Sequence, residues 1–273
     1  MAAGGTKSWL GAPLLRPRVA FFELTSCGGC QLQVLNHEGT LLDFLSLVEV
    51  TDFREAMTER SHEYDIAFVE GCVSRSDEVA LLRQIRRNAR TLVALGSCAC
   101  FGGVPRMKNR FPDPGLLARE IYGECPKATE TVRALDEIVP VDLKVHGCPF
   151  PKEELEKVVL HIALGKAIET PRHPVCFECK ANGNVCLFDL GELCLGPVTR
   201  GGCSAWCPGN RFGCWGCRGP ADDANLDSLR AIAKEHGFSG EDLADRLECF
   251  GGFTPREAPE PSPRRKSRKR GTR

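Results

Sequence analysis

The chain has 273 residues, an ordinary apolar fraction and 36 basic against 36 acidic residues. That length accommodates one full-sized domain and a smaller one, and no window reaches the roughly 18 apolar residues a membrane span requires. Sixteen cysteines set the problem, because eight of them fall between Cys176 and Cys217, where large aliphatic residues are too sparse for hydrophobic burial alone to fold the segment.

Residues 1–17 form an N-terminal extension without the charged region and sustained apolar run of a secretory peptide. The thiols are therefore expected in a reducing, cytoplasmic setting, where metal rather than disulfide holds a cysteine-dense segment together. From Arg18 to Thr170, short apolar runs alternate with amphipathic stretches. Val19–Phe22, Ile66–Val69 and Thr91–Leu95 read as buried strands, and Val141–Val145 as a weaker fourth because Asp142 and Lys144 alternate with apolar residues. Between them, Val79, Leu82, Ile85 and Ala89 share one helical face. Another helix is predicted to start with Pro151 at its first position and run to Gly165, burying Leu155, Val158, Val159 and Ile162. The alternation predicts an α/β, doubly wound parallel sheet over 18–170. A cysteine-rich unit follows over 171–250, with short helices at Asn225–His236 and Gly240–Cys249, and residues 251–273 read as a disordered tail.

Thr25-Ser26-Cys27-Gly28-Gly29-Cys30 follows the first strand, Gly96-Ser97-Cys98 the third and His146-Gly147-Cys148 the fourth. Loops after parallel strands all lie at the carboxyl edge of the sheet, so Cys27, Cys30, Cys98 and Cys148 should converge. Taken alone, the CxxC would suit a thioredoxin-type pair; four thiolates at one place suit zinc or a 4Fe-4S cluster. Glu70 occupies the analogous loop after the second strand, either as a hydrogen-bonding anchor or as a carboxylate that relays protons or tunes the site.

The second group reads Cys176-x2-Cys179-x6-Cys186-x7-Cys194 and Cys203-x3-Cys207-x6-Cys214-x2-Cys217. Eight ligands divide into two sets of four, and the spacing leaves zinc and iron-sulfur open. His173 is an alternative ligand or a histidine outside the site. Cys72, Cys100, Cys125 and Cys249 are left over, as small buried residues by default. The last ten residues, Arg264 to Arg273, carry seven basic side chains and no acidic one. No aromatic or folded basic surface accompanies them, so no nucleic-acid partner is expected.

Phe22 to Gln31, Val69-Glu70-Gly71, Gly96-Ser97-Cys98-Ala99, Gly147-Cys148-Pro149 and Cys194-Leu195-Gly196-Pro197-Val198-Thr199 together resemble the small subunits of nickel-iron hydrogenases, nearest the delta-type subunits of cytoplasmic sulfhydrogenase and NAD(P)-linked complexes. The resemblance spans Arg18 to Gly219. It implies a flavodoxin-like N-terminal domain and three 4Fe-4S clusters: a proximal one on Cys27, Cys30, Cys98 and Cys148, a medial one on Cys203, Cys207, Cys214 and Cys217, and a distal one on Cys176, Cys179, Cys186 and Cys194. Cys207 favours a 4Fe-4S over a 3Fe-4S medial cluster. The resemblance also implies a large subunit carrying the nickel-iron centre, further iron-sulfur and flavin (FAD) subunits that bind NAD(P), and electron conduction between them. Neither a twin-arginine leader nor a membrane anchor is read in the chain. The cluster subunit of respiratory complex I is the nearest rival, but it places two adjacent cysteines where this chain has CxxC and lacks the eight-cysteine segment. A zinc-stabilised binding scaffold and a hydrogen sensor are the other rivals.

Overall fold

The computed structural model describes residues 16–36, 39, 45–124, 130–164 and 166–255. Most of the N-terminal extension, Cys125, Gly165 and the basic tail lie outside the described residues. In chain order the first unit comprises β1 (Arg18–Glu23), α1 (Gly29–Leu35), β2 (Glu49–Phe53), β3 (Ile66–Glu70), α2 (Ser76–Asn88), β4 (Thr91–Leu95), α3 (Gly96–Phe101), α4 (Pro114–Tyr122), β5 (Leu143–Val145) and α5 (Lys152–Ala163). The strands are all parallel, in the order β2-β1-β3-β4-β5, which is the flavodoxin-like order.

Side chains that alternate along each strand supply a core on either face. Ala20, Ala67, Val69, Leu92 and Ala94 meet Leu82 and Ile85 of α2. On the other face Val19, Phe21, Ile66, Phe68, Val93 and Leu95 meet Val34 of α1 and Leu155, Val158 and Val159 of α5. Phe21 stacks on Phe53 at 4.5 Å and on Phe68 at 5.0 Å, tying β2 to the sheet. Strand β2 escapes the sequence reading because it is an edge strand of mixed polarity, Glu-Val-Thr-Asp-Phe. The fourth predicted strand shortens to Leu143–Val145. Asp142 delays its start, its side chain accepting from the Leu92 N–H at 2.7 Å while its own N–H donates to the Leu92 carbonyl. Pro151 is the residue capping α5 rather than its first helical residue, a one-residue difference of the kind usual at helix ends.

The cysteine-rich unit contains α6 (Val175–Ala181), α7 (Trp206–Gly209), α8 (Leu226–Glu235) and α9 (Gly240–Glu248). Asn225 caps α8 by accepting from the Ser228 N–H, and Ser239 with Asp242 forms a capping box on α9. Its small core joins Val175, Leu187, Phe188, Leu195, Val198, Leu229 and Leu243 to Cys194 and Cys214. The packed chain continues to Pro255, whose carbonyl accepts from Arg106 Nη2 at 3.1 Å.

Arg106 makes a buried two-point pair with Glu137, Nη1–Oε2 at 2.6 Å and Nη2–Oε1 at 3.1 Å. Removing one partner strands a buried charge, so Glu137→Ala is expected to lower unfolding free energy by about 3–5 kcal/mol. A denaturant midpoint shift with unchanged slope checks this.

Candidate metal centres

Three loops at the carboxyl edge carry the first cysteine group. Gly28, at φ 73°, turns the chain from β1 into α1 and sets Cys27 and Cys30 on either side of the turn. Glu70, the last residue of β3, is 2% exposed. Its Oε1 accepts from the Cys30 N–H at 3.0 Å and its Oε2 from the Gln31 N–H at 2.8 Å. This carboxylate pins the first turn of α1 to the neighbouring strand, the anchoring arrangement among the two roles expected for it. Burial raises its pKa, with the two N–H groups opposing.

The Ser97 N–H donates to the Gly147 carbonyl at 2.8 Å, joining the loop that bears Cys98 to the loop that bears Cys148. Gly96, at φ 78°, leaves the space a Cβ would take from Cys30 Sγ. The thiols feel one another: Cys30 is pushed well above the usual thiol range by burial first, then by Glu70, Cys98, Cys148 and Cys27. Cys148 is raised likewise by burial, then by Cys27, Cys249 and Glu70. Cys27 and Cys148 are exposed at this edge.

The second group lines two hollows. One, of about 160 Å³, is bordered by Cys203, Cys207, Cys214 and Cys217 and also by Cys148 of the first group. The other, of about 40 Å³, is bordered by Cys176, Cys179, Cys186 and Cys194. The partition follows the order in the sequence. Neighbouring groups touch. The Cys214 N–H donates to Cys194 Sγ at 3.2 Å, and the Leu195 N–H returns to the Cys214 carbonyl at 3.0 Å. Ser97 Oγ donates to the Cys217 carbonyl. Burial pushes Cys217 up to about 12, against the pull of the Cys148 N–H bonded to its sulfur.

His173 does not border the smaller hollow. Its Nε2 lies 2.9 Å from Glu178 Oε1, and Glu178 also accepts from the N–H groups of Gly202 and Ala205, on either side of Cys203. Glu178 thus fastens α6 to the Cys203 loop, a role the sequence did not reveal. Arg218 was also missed: 1% exposed, it donates from Nε to the Gly201 carbonyl at 2.6 Å and from Nη1 to the His146 carbonyl at 2.5 Å and to Glu154 at 2.7 Å. Cys72 and Cys100 are core thiols, fully buried. Cys72 Sγ donates to the Thr25 carbonyl at 3.2 Å, and burial pushes it up to about 12; Cys100 Sγ lies 3.7 Å from the Ala94 and Val145 carbonyls. Cys249 is half-buried.

The donor sets fit iron-sulfur ligation in kind. Each is all-cysteine and four strong, the ligand set that cubane clusters take, and its thiols give up their protons when metal binds.

The profile of the family described as NADH ubiquinone oxidoreductase, 20 Kd subunit, matches residues 27–162. Sulfhydrogenase 2 subunit delta of Pyrococcus furiosus is 38% identical over 237 residues, covering 85% of this chain and 98% of that protein. The delta subunit of the NAD-reducing hydrogenase HoxS of Cupriavidus necator is 30% identical over 173 residues, covering 56% of this chain and 82% of that protein. Among solved structures, a chain of an NAD+-reducing [NiFe]-hydrogenase in its H2-reduced state superposes with a TM-score of 0.53 at 28% identity, covering 57% of this chain and 96% of that one. No helix among the described residues is long and apolar enough to cross a membrane. With its flavodoxin-like sheet, its cysteine groups and this similarity to the sulfhydrogenase delta subunit, the chain belongs to the family of nickel-iron hydrogenase small subunits.

Proposed function

We propose that this subunit conducts electrons through three 4Fe-4S clusters, between a nickel-iron centre on a large partner subunit and a soluble acceptor, in the cytoplasm. Cys27, Cys30, Cys98 and Cys148 hold the proximal cluster in this reading; Cys203, Cys207, Cys214 and Cys217 the medial; and Cys176, Cys179, Cys186 and Cys194 the distal. The observation that carries it is contiguity. Cys148 borders the hollow of the second set, and Cys214 of that set bonds to Cys194 of the third, so the three thiol sets form one line. The clusters supply one-electron storage at potentials set by ligand, hydrogen bond and burial.

The chain's own residues hold and space the sites. Glu70 fixes the CxxC turn, Ser97 joins the first set to the second, and Glu178 and the Cys214–Leu195 pair join the second to the third. The exposed edge at Cys27 and Cys148 is the face offered to the large subunit. Exposed Phe177, Trp206 and Phe212 around the other two sets provide surface for further subunits, among them a flavin subunit with FAD. NAD(P) as terminal acceptor follows the NAD+-reducing hydrogenase among the structural relatives. The complex I alternative is disfavoured because the profile that bears its name ends before Cys176, whereas the sulfhydrogenase relative extends over most of the chain.

Iron and acid-labile sulfide in anaerobically purified protein test the reading against a zinc scaffold. About twelve of each per chain is expected for three cubanes; about two or three zinc without sulfide overturns it.

A further inference from the structure

Helix α9 brings one side chain, Arg246, to the seam between two of the cysteine sets. Its Nη1 donates to the Leu193 carbonyl at 3.1 Å, and its guanidinium carbon lies 3.6 Å above the Trp215 ring. Leu193 immediately precedes Cys194 and Trp215 immediately follows Cys214, the two cysteines joined by the N–H to sulfur bond of 3.2 Å. Gly213 leaves room for this approach. A Cβ there would stand 3.3 Å from Arg246 Nη1 and would collide with the Leu193 carbonyl.

The guanidinium is half-buried. Among the described residues no carboxylate makes an ion pair with it, whereas Arg110 on the neighbouring surface is paired with both Asp245 and Glu248. The electrostatic neighbours that act on Arg246 are Cys194, Glu192, Cys214 and Cys249. A guanidinium stays charged at any physiological pH, so this is a fixed cation, held against the Trp215 indole face and the Leu193 carbonyl, the residues next to Cys214 and Cys194 in the chain. Both contacts keep it from swinging into solvent, where its field would be screened.

We propose that Arg246 is a positioning residue that sets the reduction potential at the Cys194–Cys214 seam, its clamped positive charge favouring the reduced, more negative state of the clusters there. The inference rests on the assignment of these cysteines as iron-sulfur ligands. Reduction adds one negative charge to a cluster, and a nearby cation in a medium of intermediate dielectric stabilises that charge appreciably. Position 246 lies outside every cysteine motif and reaches the site only through the fold of the helical hairpin.

EPR-monitored redox titration of the intact, cluster-loaded protein tests this, with iron counted in every sample. At the wild-type midpoint, Arg246→Gln is expected to lower the ratio of reduced to oxidised cluster about tenfold for at least one signal, while Arg246→Lys stays within about twofold because the charge is kept. An Arg246→Gln protein with full iron and unshifted midpoints overturns the proposal. Should that variant lose its iron, Trp215→Leu decides: freeing the guanidinium to solvent is expected to lower the ratio about threefold, and no shift overturns the proposal. Wild-type protein without iron and sulfide would instead overturn the cluster reading, and the inference with it.

Discussion

Stripping iron from the purified protein by chelation under oxidising conditions is expected to unfold residues 171–255 while the parallel sheet stays folded. The cysteine-rich unit has little else to hold it. Helices α6 and α7 have seven and four residues, too short to persist alone. Its apolar core includes two of the cysteines themselves. An empty hollow of about 160 Å³ costs on the order of 4 kcal/mol if it stays dry, a large share of the stability of a small unit. The sheet has two cores of its own, and its strands pair without reference to any thiol. Hydrogen exchange reads the difference. After iron removal, amides between Cys176 and Cys217 should exchange at the rates of an unfolded chain while those of β1, β3 and β4 stay protected. Undiminished protection of both units would mean that metal is not what holds the cysteine-rich one together.

Arg218→Ala is expected to be as damaging as breaking the buried Arg106–Glu137 pair, costing about 3–5 kcal/mol. The side chain joins the two units: the Gly201 carbonyl belongs to the cysteine-rich segment, the His146 carbonyl lies just past β5 and Glu154 sits on α5. Truncation leaves two carbonyls and a half-buried carboxylate without their donor and opens a cavity the length of an arginine stem. Arg218→Lys should recover little, since a single ammonium cannot reproduce the planar fork that reaches three acceptors. The measurement is the denaturant midpoint, followed separately by far-UV dichroism and by cluster absorbance. Coincident transitions that become separated in the variant would identify Arg218 as the link between the units; a midpoint unchanged from wild type would refute that role.

The placement of the first cysteine group was legible in the sequence because it depends on a rule of topology: turns that follow parallel strands share an edge. Recognising the strands before Cys27, Cys98 and Cys148 sufficed to put all three at one edge, although β2 went unseen. The two hollows that the other eight cysteines border follow their order in the sequence. Arg218, Arg246 and Glu178 were not legible there. Their main-chain partners lie 17 to 72 residues away, and a main-chain group carries no mark in the sequence of the residue it will bind. Ser97 lay within a quoted motif, but its partner, the Cys217 carbonyl, is 120 residues distant. His173, three residues before a cysteine, stood as either an alternative ligand or a histidine outside the site; in the folded chain its Nε2 lies 2.9 Å from the Glu178 carboxylate on α6.

The bond from the Cys214 main chain to Cys194 Sγ, returned by Leu195, means that two of the cysteine sets share a single stretch of paired backbone. If each set holds a cluster as proposed, filling one would hold the other's backbone in register. Maturation should therefore be cooperative: under limiting iron, a population of chains divides into those with both sites empty and those with both full, and half-filled chains remain scarce.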